Sequence, residues 1–329
     1  MMVSRLSRRG FGAFSLGLCA GPVAAQAQAV WPDRPVRLIV PFAPGGAFDV
    51  VARAMAVQFA RFANGQTLQV DNRPGAGGTI AGALTARERP DGFTFMLADL
   101  APNVVGQEMF SGLSYDPRTA FTPIIHAVNI PTVLVARPGF APRDTAGVLA
   151  AARAEPGRLT YSTPGAGNAV QFMMELLQRL TGTRMTHVPY RSGAEAATAL
   201  VRGDVDLSFT SISSALPFLQ DGRARPIAVS TASRVAQLPD VPTIAEVVPG
   251  FDVAVWTGVV GPAAMPPELV TAANRVFGQV LAVPELREHL ARVQGAEVVG
   301  GTPEAFAAHI VSARARWTPI IRELGIRLE

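Results

Sequence analysis

Lysine is missing from this chain: all 29 strongly basic side chains are arginine, set against 25 aspartates and glutamates. That excludes a phosphate loop of the G-x-x-x-x-G-K-S/T kind, in which the lysine reaches the phosphates. Cysteine is nearly missing too. Cys19 is the single one, so no disulfide can form within the chain, and beyond residue 29 thiol chemistry is excluded. The four histidines, His126, His187, His289 and His309, fall at no ligand-like spacing, so no metal is expected. Neither G-x-S-x-G nor H-E-x-x-H occurs, and no basic run marks a nucleic-acid surface. Beyond residue 29 no stretch reaches the roughly 18 uninterrupted apolar residues of a membrane span.

What is present begins with a leader. Arg8-Arg9 stands in Ser7-Arg8-Arg9-Gly10-Phe11, an apolar, small-residue stretch runs from Phe11 to Ala25, and Ala27-Gln28-Ala29 has the A-x-A form of a cleavage site. Residues 1–29 are therefore expected to be a signal peptide, and the paired arginines suggest the twin-arginine route. Leu18 is bulky where a lipid-attachment site at Cys19 would want a small residue. Removing the leader takes away Arg5, Arg8 and Arg9 and lowers the formal charge from +4 to +1. About 300 residues remain, enough for two ordinary domains with a sizeable core and no staples. An exported chain without a span points to a bacterial periplasm.

The residue pattern predicts strands and helices in alternation. Arg37 to Phe42 reads as a buried strand, Pro44-Gly45-Gly46 as a turn, and Asp49 as the N-cap of the first helix. Thr67 to Asn72, a helix from Thr79 to about Arg89, and Phe93 to Leu97 complete a β-α-β-α-β series, the rhythm of a parallel sheet. Pro123 to Val135 reads as a long extended crossing. A second series follows: helix Thr145–Ala154, strand Leu159–Ser162, a helix through Leu180, strand Met185–Val188, helix Gly193–Arg202, strand Val205–Phe209, helix Ser214–Asp221 and strand Pro226–Ser230. Val253 to Val260 reads as a return crossing. Helices near Pro267–Gln279, Pro284–Gln294 and Pro303–Leu324 close the chain, with Pro319 placed to kink the last. The expected architecture is α/β, two lobes joined by two extended crossings. Residues 30–130 with 255–329 make lobe 1, and residues 131–254 make lobe 2.

Three loops share one geometry: Pro44-Gly45-Gly46-Ala47-Phe48-Asp49, Pro74-Gly75-Ala76-Gly77-Gly78-Thr79 and Pro164-Gly165-Ala166-Gly167-Asn168 each lie between a strand and a helix. Glycine brings backbone N–H groups close to a ligand, and a helix start adds unpaired donors and a partial positive field. Such loops can hold carboxylate oxygens without a cationic side chain. None is the dinucleotide pattern; Ile80 stands where G-x-G-x-x-G needs its last glycine. Tyr190 and Arg191 follow a strand end and either turn at the surface or face a cleft. Asp206 alternates away from Val205. Trp256 suits core or cleft wall equally, and Ser211, Ser213 and Ser214 read as ordinary turn composition. His126 and His187 read as structural.

These residues, in this order, resemble the periplasmic receptors of tripartite tricarboxylate transporters, the Bug or TctC-like solute-binding proteins. The resemblance runs from Trp31-Pro32-Asp33-Arg34-Pro35 through Asn72-Arg73-Pro74-Gly75-Ala76-Gly77-Gly78 and Tyr161-Ser162-Thr163-Pro164-Gly165-Ala166-Gly167. It continues in Val188-Pro189-Tyr190-Arg191, Gly203-Asp204-Val205-Asp206, Pro239-Asp240-Val241-Pro242-Thr243 and Trp256-Thr257-Gly258. It implies a two-lobed periplasmic-binding-protein fold of class II, a small carboxylate or amino acid between the lobes, and docking of the closed, loaded receptor on a two-component membrane permease; a cleft that opens and closes is easiest in a monomer. The ligand-binding candidates are Phe42, Gly45, Gly46, Ala47, Phe48 and Asp49 in the first loop and Gly77 in the second. Ala98 and Asp99 follow the third strand. Thr163, Gly165, Ala166, Gly167 and Asn168 come from the second lobe, with Tyr190 and Asp206.

Several positions depart from the pattern of that family. Ala47-Phe48 replaces glycine-threonine, Ala98-Asp99 stands where a small residue and a hydroxyl are usual, and Gln171-Phe172 replaces a histidine. Phe48 would favour an apolar or aromatic solute part, and Asp99 would oppose a second carboxylate or pair with an amino group. A catalytic role is not expected, and neither a cofactor nor a nucleic-acid partner. The alternatives are a ligand-sensing receptor for a membrane signalling protein and, further off, a periplasmic α/β enzyme.

Overall fold

The first strand, β1 (Val36–Val40), is buried along almost its whole length, as a strand between two parallel neighbours has to be. It pairs in parallel with β2 (Leu68–Asn72) and with β3 (Thr94–Ala98). Helices α1 (Ala47–Phe59) and α2 (Thr79–Ala86) make the crossovers. These observations come from a computed structural model, which describes residues 31–325 and 327. The leader expected over residues 1–29 lies outside the described residues.

After β3 comes a π-helical turn, Ala101–Val105, and the short α3 (Gly106–Met109). The chain then leaves through β4 (Phe121–Ile130) and enters a second sheet as β5 (Thr132–Ala136), with Pro131 alone between them. The second sheet takes in α4 (Thr145–Ala154), β6 (Thr160–Thr163), α5 (Ala169–Thr181), β7 (Thr186–Pro189), α6 (Gly193–Arg202), β8 (Leu207–Ser211), α7 (Ile212–Gln220) and β9 (Arg225–Val229). The return is made by residues 230–254, leading into β10 (Val255–Pro262) of the first sheet. Helices α8 (Pro267–Leu281) and α9 (Pro284–Gln294), strand β11 (Glu297–Gly300) and helix α10 (Pro303–Leu324) follow.

The first sheet has the order β11-β4-β10-β3-β1-β2 and the second β7-β6-β8-β5-β9. In each, a parallel set is joined by antiparallel strands from the crossings: β10 beside β3 and β4, and β5 beside β8 and β9. All eight residues of β10 are buried, as befits the middle of its sheet. Strand alternation divides β5 between two cores: Leu134 and Ala136 belong to the large one, which extends through both sheets, and Val133 and Val135 to a smaller one with Leu200, Ile212 and Val229.

The two crossings are knitted together. The Thr132 amide donates to Ser230 Oγ at 3.1 Å. The Ser230 amide donates back to the Thr132 carbonyl at 2.9 Å, and Val253 N–H donates to the Ser230 carbonyl at 3.0 Å. Ser230 is fully buried, so its hydroxyl satisfies a backbone donor that has no access to water.

Two expectations are corrected. The first helix begins at Ala47, not at Asp49: Gly46 is its N-cap, without a side-chain cap bond, and Asp49 lies inside the first turn. The closing region holds β11 between two of its three helices. Trp256 is core, packed edge-on against His126, Phe306 and His309.

Candidate functional site

A cavity of about 490 Å³ lies between the two sheets, within the size range of small-molecule sites. Its floor is made by residues of the crossings themselves, Ile130, Thr132 and Val255. Around it stand the starts of four helices: Gly45 to Phe48 at α1, Asn168 to Val170 at α5, Ser192 to Ala194 at α6, and Ser211 with Ser214 at α7. Each is there because a strand of its sheet ends at the cleft and the next helix begins from that end, the position where open α/β sheets bind ligands.

The caps are built from neutral side chains at three of the four starts. Asn168 Oδ1 accepts from Gln171 N–H at 3.0 Å, Ser192 Oγ from Glu195 N–H at 3.2 Å, and Ser211 Oγ from Ser214 N–H at 3.4 Å. Each cap uses one donor of a first turn that has four, so positive ends remain directed at the cavity. The loop before α5 is further held by Gln171 Oε1, which accepts from Gly167 N–H at 2.7 Å, and by Asn168 Nδ2, which donates to the Gly165 carbonyl at 2.6 Å. At α1 the acid is internal. Asp49 accepts from Gly45 N–H at 2.9 Å, from Arg53 Nε at 2.8 Å and from Asn72 Nδ2 at 3.1 Å. Burial opposes ionisation of Asp49, but these three donors together hold its carboxyl below the ordinary range.

The rim closes over the cavity. Gly77 has φ +59, and a Cβ there would lie 3.0 Å from the Gly167 carbonyl oxygen and 3.2 Å from that of Ala166. The second and third glycine loops therefore touch across the opening, and a side chain at Gly77 would press on the facing loop from the left-handed region. The wall near α1 is aromatic: Phe42 and Phe48 meet edge to face with centroids 4.9 Å apart. Among the lining residues two are charged. Arg191 is exposed at the rim. Asp99 is 1 % exposed, and burial pushes its pKa up to about 7.

Of the residues singled out from sequence, Phe42, Gly45, Gly46, Ala47, Phe48, Gly77, Asp99, Gly165, Ala166, Asn168 and Tyr190 line the cavity. Asp49, Ala98, Thr163, Gly167 and Asp206 stand outside the lining. Asp49 braces the first loop, and Ala98 gives its carbonyl to Thr257 Oγ1 at 2.8 Å. Thr163 Oγ1 meets His187 Nε2 at 2.7 Å. Asp206 sits before the start of β8, bonded to Arg137 Nε and to the Thr160 amide, both at 3.0 Å. His126 and His187 also lie outside the lining.

Sequence reasoning missed Thr132, Thr210, Ser211 and Ser214. The signal for the serines was there: Ser211 three residues before Ser214, at the end of an apolar strand, is an N-cap pattern. Ser192-Gly193-Ala194-Glu195 reads as a capping box, although Glu195 Oε2 accepts from the Arg191 amide at 2.9 Å. Among the described residues no three histidine, cysteine, aspartate or glutamate side chains gather as a metal site, and no helix is long and apolar enough to cross a membrane.

Comparison with known proteins places this geometry. The family model described as "Tripartite tricarboxylate transporter family receptor" matches residues 51–326. A UPF0065 protein from the tcbD-tcbE intergenic region of Pseudomonas sp. strain P51 is 34 % identical over 318 residues, covering 96 % of this chain and 94 % of its own. Among solved structures, R. palustris Rpa4515 with adipate superimposes with a TM-score of 0.85 at 34 % identity, over 91 % of this chain and all of that one. MatC from Rhodopseudomonas palustris with bound malate gives a TM-score of 0.81 at 32 % identity, over 88 % of this chain and all of that one.

Proposed function

This chain belongs to the tripartite tricarboxylate transporter receptor family, and on that premise we propose that it is a periplasmic receptor that captures a small organic acid or amino acid between its sheets and delivers it to a two-component membrane permease. The observation that carries the reading is the convergence of four helix N-termini on one cavity that has no cation except an exposed rim arginine. Oriented backbone N–H groups favour a carboxylate there and need no reorganisation when it arrives. The related structures with adipate and malate are of proteins holding ligands of that chemistry.

Residues 30–130 with 255–329 act as one lobe and residues 131–254 as the other, closing on the solute through the two crossings. Closure is then a shift of population driven by the ligand's preference for the closed form, which is the form a permease recognises. The protein works without catalysis and without a cofactor.

The test is native mass spectrometry of the full chain after export, followed by calorimetry with malate, succinate, adipate, glutamate and aspartate. At least one is expected to bind one to one, and at a hundred times its dissociation constant to stabilise the fold by about 2.7 kcal/mol. A protein that arrives empty and binds none of the five overturns the reading.

A further inference from the structure

We propose that Asp99 reads a protonated nitrogen on the solute, so that this cleft selects acids bearing an amino group over the same acids without one. The inference rests on the receptor reading above and names the ligand class within it. Asp99 follows the last residue of β3 and lines the cavity. Neither of its carboxylate oxygens has a hydrogen-bond partner, although both are buried. The Leu100 amide favours the ionised form, against the larger effect of burial.

The position is built, not loose. Asp99 N–H donates to Asn103 Oδ1 at 3.0 Å, and the preceding carbonyl of Ala98 accepts from Thr257 Oγ1 at 2.8 Å. The backbone on both sides of Asp99 is thus fixed at the cleft, while neither oxygen of its side chain has a hydrogen-bond partner. Every other acid bordering the loops is paired: Asp49 with Arg53, Glu195 with the Arg191 amide. The one cation of the lining, Arg191, is exposed at the rim.

A buried carboxyl without a donor is costly to keep, and at the wall of a cavity a ligand's donor is the partner that would offset the cost. The chemistry of the missing partner follows from the chemistry already present. The helix starts provide donors for a solute carboxylate; Asp99 provides acceptors. An ammonium group supplies three N–H donors and the opposite charge in a compact head. The matching diacid without nitrogen brings the same carboxylates but neither a donor nor a positive charge to answer an ionised carboxyl. Near neutrality Asp99 is poised between its two forms, and an adjoining ammonium draws it to the ionised one.

The experiment is calorimetry at pH 7 on the full chain, exported and stripped of solute, with three matched pairs: aspartate and succinate, glutamate and glutarate, 2-aminoadipate and adipate. In at least one pair the amino acid is expected to bind at least tenfold more tightly than its nitrogen-free partner. Asp99→Asn is expected to cut that affinity tenfold or more while leaving the diacid within threefold. Asp99→Thr carries the comparison should Asp99→Asn fail to fold. Diacids that bind as well as or better than their amino partners in every pair overturn the assignment and leave the receptor reading standing. So does a variant that weakens both members equally. Failure of all six to bind the wild-type protein overturns the receptor reading and this inference with it.

Discussion

Gly77 is the residue where backbone conformation and close approach meet, with φ +59 and the Gly167 carbonyl 3.0 Å from where a side chain would start. Gly77→Ala should cost about 1 kcal/mol of stability, because alanine pays for the left-handed region. It should also weaken the best carboxylate about tenfold by holding the two loops apart, since closure then costs about 1.4 kcal/mol more. Gly157 is the control: its φ is +82 with nothing within 4 Å, so Gly157→Ala carries the strain without the rim contact. Calorimetry and urea unfolding on the two variants separate the effects, and equal affinities would show that the loop contact takes no part in binding. At this scale the glycine loops were legible in the sequence because turn chemistry is local. Asp206 was misplaced because alternation along a strand says which face a residue takes and not which end of the strand borders the cleft. Thr132 could not be found at all, since its position depends on where two crossings meet.

Between β4 and α10 two histidines face each other, His126 and His309, with ring centroids 4.4 Å apart and neither Nε2 bonded. Burial, helped by the neighbouring His309, pushes His126 down to about 4, and burial lowers His309. In the unfolded chain His126 takes a proton near 6.5, so between there and about 4 the unfolded state binds more protons than the folded one. Stability therefore falls as pH drops through that window, by up to about 3 kcal/mol for this residue. His187, also pushed down to about 4 by burial, adds the same sign. His126→Phe should flatten the dependence, measured as the change in urea midpoint between pH 7 and pH 4.5; an unchanged slope would show that His126 is not its source. Elements with strong period or strong caps were legible: α4 and α6 fall where the pattern puts them. Strand β11, four residues at a sheet edge, is too short to announce itself. The π-helical turn hides behind Pro102, which reads as loop, and α1 starts on a glycine that offers no side-chain cap.

Over the whole molecule the large core is continuous through both sheets, and α10 spans the junction. Trp317 on α10 packs against Phe172 on α5 with centroids 6.4 Å apart, and Arg179 on α5 reaches Glu323 at 2.6 Å. Trp317 is buried, so Trp317→Ala should cost about 3 kcal/mol; the exposed ion pair, screened by water, adds little beside it. Thermal unfolding of the tryptophan variant is expected to remain one transition, because the core it weakens is shared; two separated transitions would mean the sheets fold apart. The α/β class and the two series of strands were legible at this scale because each series repeats a local rhythm. The joining of the cores was not, because it depends on which faces meet. Pro131 sets the freedom that remains. Its ring fixes its own φ and keeps Ile130 extended, and Thr132, next along, is clamped to Ser230. Few torsions in that crossing are left to turn, so on the two-lobe reading proposed above the crossing would serve as an axle and not as a tether. The grip on a solute would then be set by how far that one joint turns.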